Sequence, residues 1–115
     1  MVYDLEERTA VFSEKVIELC KKCPRNLIND TITSQLVRCG TSIGANYCEA
    51  NEAGSRKEFC YRISICNREA RETKHWLRMV AAAAPELKAD ARPLWQEAKE
   101  LNLIFSAIFR GKPKS

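Results

Sequence analysis

The chain has 115 residues, 45% of them hydrophobic and 30% charged, and a formal net charge of +4. That length suits one domain over residues 1–115, with a real core and a size that gains from oligomerising. No apolar run approaches the roughly 18–20 residues of a membrane span, and the acidic start Met1-Val2-Tyr3-Asp4-Leu5-Glu6-Glu7 lacks the apolar stretch of a signal peptide. These features exclude a membrane-spanning or exported class and lead us to expect a cytoplasmic protein; the mild positive charge permits an acidic partner without arguing for one.

Apolar residues recur at helical spacing in four segments, with no convincing alternating strand. The first, about 4–23, carries Leu5, Thr9, Phe12, Val16, Leu19 and Cys23 on one stripe, widened by Ala10, Ile17 and Cys20, and stops at Pro24. The second, about 30–53, starts at Asp30 or Thr31 as the N-cap and has the seam Ile32, Leu36, Cys39, Ile43, Asn46 and Ala50. Gly54 is suited to a left-handed position closing it. Ser55-Arg56-Lys57-Glu58 then has the capping-box pattern, so the third helix, about 55–84, follows in a tight αα-hairpin. Its seam is Phe59, Ile63, Cys66, Ala70, Thr73, Leu77 and Val80, and a second stripe of Ile65, Glu69, Glu72, Trp76 and Met79 lies beside it. The fourth, about 90–110, tolerates Pro93 in its first turn and has the seam Leu94, Ala98, Leu101, Phe105 and Ile108, broadened by Trp95, Ile104 and Phe109. The basic tail from Arg110 to Ser115 is expected to fray. Four helices with short links and seams of period near 3.5 predict an all-α, antiparallel up-down-up-down four-helix bundle.

Four features bear on function. Gly40 and Gly44 let the second helix approach a neighbour closely, either within the chain or at a subunit contact. Asn46, Glu69 and Glu72, with Arg38 and Glu49 in reach, form a polar network that fixes register, a solvated partner groove, or a carboxylate site. Glu72-Thr73-Lys74-His75 matches one Glu-x-x-His motif of the kind that binds paired metals in bundles, but a second copy is missing, and His75 reads as a surface residue. The third helix holds Arg56, Lys57, Arg62, Arg68, Arg71, Lys74 and Arg78; Arg68, Arg71, His75 and Arg78 follow helical spacing opposite the seam. That ridge is either a solvated face or a platform for RNA or DNA phosphates. The six cysteines lie within helical patterns, and Cys20-Lys21-Lys22-Cys23 has neither a second pair nor nearby histidines, so they read as buried, reduced thiols. No phosphate loop or nucleophilic triad is present, and the expectation is a protein that is not an enzyme and carries no cofactor.

The segments Ser34-Gln35-Leu36-Val37-Arg38, Ser42-Ile43-Gly44-Ala45-Asn46-Tyr47-Cys48-Glu49-Ala50, Ser55-Arg56-Lys57-Glu58-Phe59 and Glu69-Ala70-Arg71-Glu72-Thr73-Lys74-His75-Trp76-Leu77 resemble, in order and spacing, the bacterial four-helix bundle family of 23S ribosomal RNA intervening-sequence proteins. That family is related to the accessory protein of diversity-generating retroelements. The resemblance implies a ring-shaped homopentamer, with RNA, DNA or a reverse transcriptase as partner. It places Arg38, Ser42, Asn46, Glu49, Glu69, Glu72 and Trp76 at signature positions that support fold and assembly. The leading expectation is a homo-oligomeric binding protein presenting the third helix to nucleic acid or to a nucleic-acid enzyme. The alternatives are a scaffold or adaptor without nucleic-acid binding, and a metal or carboxylate enzyme using Glu49, Glu69, Glu72 and His75.

Overall fold

The computed structural model describes residues 4–111. Four helices follow one another: α1 Leu5–Lys22, α2 Leu27–Asn51, α3 Arg56–Ala83 and α4 Lys88–Arg110, with one 3-10 turn at Pro85–Leu87 before α4. No strand occurs among the described residues. Each helix packs most extensively on its neighbours in sequence, and α1 meets α4 over a smaller area. Short links between such helices give the up-down-up-down bundle.

The expected stripes supply the core, with four of their members, Ile32, Asn46, Phe59 and Ile108, only half-buried at its margin. Leu5, Thr9, Phe12, Val16, Leu19 and Cys23 of α1 are all buried, as are Leu36, Cys39, Ile43 and Ala50 of α2. On α3, Ile63, Cys66, Ala70, Thr73, Leu77 and Val80 face inward, against Leu94, Ala98, Leu101 and Phe105 of α4. The broadening positions divide: Cys20 and Ile104 are half-buried against the core, whereas Ala10, Ile17, Trp95 and Phe109 are exposed, because four helices cover a narrower arc of each than the sequence pattern offers.

Boundaries shift where capping chemistry was misread. The Asn26 side chain, not Asp30 or Thr31, caps α2 by accepting from the Asn29 backbone N–H at 2.8 Å. Asp30 instead takes two hydrogen bonds from Arg25, at 2.8 and 3.1 Å, which hold its carboxyl below the usual range. Ser55 caps α3 as expected, accepting from the Glu58 N–H at 3.0 Å. The Glu58 carboxylate reaches one residue further back than a standard capping box, to the Gly54 N–H at 3.1 Å. Gly54 has no left-handed φ, so the link turns without one. The 3-10 turn brings α4 in two residues early, at Lys88, and leaves Pro93 inside the helix, beyond its first turn. Arg110 is the last residue of α4; the rest of the expected frayed tail, residues 112–115, lies outside the described residues.

Gly40 and Gly44 both face α1. A Cβ at Gly40 would sit 3.1 Å from Val16 Cγ1, and one at Gly44 would sit 3.1 Å from Thr9 Oγ1. Their spacing therefore serves close packing within the chain. Between α1 and α4, Arg8 holds Glu97 in a two-point ion pair at 2.6 and 3.0 Å, and Lys22 reaches Asp90 at 3.2 Å.

Candidate functional site

The α2–α3 seam carries a polar cluster. Arg38 is half-exposed on α2 and extends across to α3, where it donates to Glu72 Oε2 at 2.7 Å and lies 3.5 Å from Glu69 Oε1. Gln35 steadies it by accepting from its Nε at 3.1 Å. Trp76 Nε1 donates to the same Glu72 oxygen at 3.3 Å. The Glu69 side chain is only 10% exposed, and its Oε1 receives no hydrogen bond, so Arg38 and, at 3.9 Å, Arg68 supply its counter-charge. A buried carboxylate needs such pairing because an uncompensated charge away from water is costly. Arg38, Glu69, Glu72 and Trp76 thus come together as the sequence suggests.

The other members of that set part ways. Asn46 donates to the Ser42 carbonyl at 2.9 Å and accepts from Arg62 at 3.0 Å. Ser42 donates to the Cys39 carbonyl at 3.0 Å. Glu49 is exposed and forms no ion pair among the described residues. Nor do three His, Cys, Asp or Glu side chains gather at one point among those residues.

Arg62 is a correction to the ridge. Half-buried, with its guanidinium on Asn46 and over the Tyr61 ring at 5.8 Å, it belongs to the α2–α3 seam. Its place in the sequence, three residues before Ile65 and seven before Glu69, already puts it on their flank of the helix. Arg56 and Lys57 are exposed in the first turn of α3, apart from Arg68, Arg71 and Arg78 further along, which are also exposed with His75 among them. Arg71 and Arg78 pair with no carboxylate among the described residues. His75 packs edge-on to Trp76 at 4.9 Å.

Lys74 leaves the ridge for α4. Its ammonium lies 3.4 Å from Asn102 Oδ1 and 5.8 Å from the centre of the Trp95 ring. Lys99 approaches the same ring at 5.7 Å. Below them, Leu77, Arg78 and Ala81 of α3 and Lys88, Ala91, Arg92 and Trp95 of α4 line a groove of about 150 Å³. Its lining holds three cations and no carboxylate. Lys88, Arg92, Trp95 and Lys99 were not singled out from the sequence as site residues. The usable signal was the i, i+4, i+7, i+11 spacing of these four on α4, which places them on one face.

The thiols are mostly core atoms. Burial pushes Cys66 up to about 12 and Cys20 up to about 11, and raises Cys39 and Cys23 as well. Cys48 is the exception to the buried reading: it is exposed, while Cys20 and Cys60 are half-buried.

No helix among the described residues is long and apolar enough to cross a membrane. In fold, the chain is similar to the crystal structure of a protein of unknown function from the S23 ribosomal protein family of Bacteroides thetaiotaomicron VPI-5482 (TM-score 0.80, 26% identity, 91% of this chain and 97% of that one). No curated protein matches it. Residues 3–107 match the model of the 23S rRNA-intervening sequence proteins, and the chain belongs to that family.

Proposed function

We propose that this is a non-enzymatic, homo-oligomeric binding protein that presents the basic face of α3 to RNA or DNA, or to an enzyme of nucleic acid such as a reverse transcriptase. The observation that carries the reading is the exposed row of Arg68, Arg71 and Arg78, two of whose three guanidinium groups have no carboxylate partner among the described residues. Unpaired surface arginines break no ion pair when they turn onto a phosphate, and they can bind it in two-point geometry. The family's name sets its members in a ribosomal RNA context. A ring of subunits, five by the resemblance noted above, repeats the row so that one polyanion spans several copies and gains avidity.

The test is binding of a structured RNA across a salt series, with absolute mass measured in the same buffer. Each phosphate neutralised on duplex-like RNA steepens the fall of log K with log salt by roughly 0.9. The triple variant Arg68→Glu, Arg71→Glu, Arg78→Glu is expected to lose binding while keeping the wild-type mass. Retained binding in that variant would overturn the assignment. A second reading, a scaffold or protein adaptor, is favoured by Leu27 and Ile28, which are 83% and 67% exposed at the start of α2. It requires no RNA binding at low salt and a co-purifying protein.

A further inference from the structure

We propose that the α3–α4 groove is a site for single-stranded RNA, in which an unpaired base stacks on Trp95 and the flanking phosphates lie on Arg78, Lys88 and Arg92. The inference rests on the binding reading above and names the form of nucleic acid that this part of the surface selects.

Trp95 is the aromatic side chain of this groove, and at 36% exposure it keeps part of its indole open to a ligand. An indole left wet between two helices forgoes the burial of its apolar face, and every base has a π-face that can cover it. The floor of this open groove beside it is apolar, from Leu77, Ala81 and Ala91, and its volume is about 150 Å³. Three cations stand around that floor with no carboxylate among the lining residues to neutralise them. Apolar floor, aromatic wall and cationic rim together match a nucleotide: ring below, phosphate above.

Lys74 and Lys99 fit the same ligand. Their ammonium groups lie 5.8 and 5.7 Å from the Trp95 ring centre, close to the outer limit of a cation–π contact. Lys74 also makes only a long hydrogen bond, 3.4 Å, to Asn102. Both heads are therefore loosely held and can exchange the ring for a phosphate when a base takes their place. Duplex RNA is a poor fit, since its bases are stacked on one another and its deep groove hides their edges from side chains. From Lys88 to Lys99 the α4 stripe runs about 16 Å at 1.5 Å per residue, enough for a few splayed nucleotides and too short for an extended duplex contact.

Fluorescence anisotropy separates the possibilities. The probes are a single-stranded RNA of roughly ten nucleotides, the same strand with abasic positions, and a hairpin of equal charge whose loop is abasic, so that every base it carries is paired, with polyglutamate as competitor. Trp95→Ala should weaken the single strand on the order of tenfold, as loss of one base–aromatic stack does, and leave the hairpin and the abasic strand nearly unchanged. Trp95→Phe, which keeps a ring, should retain most of the affinity. Circular dichroism of both variants verifies the bundle. Equal affinity of wild type and Trp95→Ala for the single strand, while the double variant Arg68→Glu, Arg71→Glu, which leaves the groove residue Arg78 in place, loses the hairpin, would overturn the groove and leave the α3 reading standing. Equal loss on all three probes, or displacement by polyglutamate as effective as by RNA, would also overturn it, the latter pointing to an acidic protein segment. Absence of binding by the wild type to every probe at low salt would remove both proposals together.

Discussion

At the scale of single residues, Gly40 and Arg38 show how local geometry sets the effect of a change. A methyl at Gly40 meets Val16, which is wholly buried and β-branched and cannot turn aside. Gly40→Ala gains about 1 kcal/mol of helix propensity and loses about 1–3 kcal/mol to overpacking, so a net loss in urea denaturation is expected. The double variant with Val16→Ala should lose less than the sum of the two single losses, since the smaller side chain makes room for the methyl, and purely additive losses would place the contact elsewhere. Arg38→Ala removes the main counter-charge of Glu69. Because Arg38 is 48% exposed, the cost should be modest, about 1–2 kcal/mol, and Arg38→Lys should restore only part of it, since an ammonium cannot serve Glu69, Glu72 and Gln35 together. The thiols predict a pH effect. Burial raises Cys20 and Cys66, so the native state keeps their protons while the unfolded chain loses them. The associated stability is intact below the ordinary thiol range and declines as pH rises through it toward about 11 for Cys20 and about 12 for Cys66. In the native protein iodoacetamide should modify Cys48 first and Cys39 and Cys66 last; simultaneous modification would contradict their burial.

At the scale of elements, the seams were legible because burial in a bundle depends on a 3–4 spacing that a sequence displays directly. Helix starts were less so. Asp30 and Thr31 look like caps, but Asn26 is placed ahead of Leu27 and Ile28, two apolar residues that stay exposed and therefore break the pattern a reader follows. The α4 start was obscured in the same way: the 3-10 turn at Pro85–Leu87 feeds directly into a helix with no side-chain cap. Pro93 consequently leaves the Ala89 carbonyl without its helical donor. Pro93→Ala should stabilise the protein by about 1 kcal/mol, the restored bond outweighing the added freedom of the unfolded chain; a lower melting temperature would show that the ring packs usefully. Ser55→Ala should cost about 1 kcal/mol. The candidate site was half legible. The arginine row follows from helical spacing on α3 alone, whereas the groove depends on two helices meeting, and Trp95 had been assigned to the seam of α4 because it lies one residue from Leu94.

At the scale of the whole molecule, α1 and α4 share the smallest interface among helices that are neighbours around the bundle, and two ion pairs bridge it. Sub-global opening should begin there. Glu97→Ala is expected to speed amide exchange in α1 before α3, and uniform acceleration would indicate that the bundle opens only as one unit. The connectivity also sorts the surface by end. Because the helices alternate in direction, α1 begins and α4 finishes at the end that carries the α2–α3 link. Arg78, Lys88 and Arg92 lie toward the other end, where α3 hands over to α4. Asp4 and Gly111 therefore both lie at the end far from the groove, so a fluorophore or surface tether placed at either residue is held away from that face and leaves it open to whatever flows past.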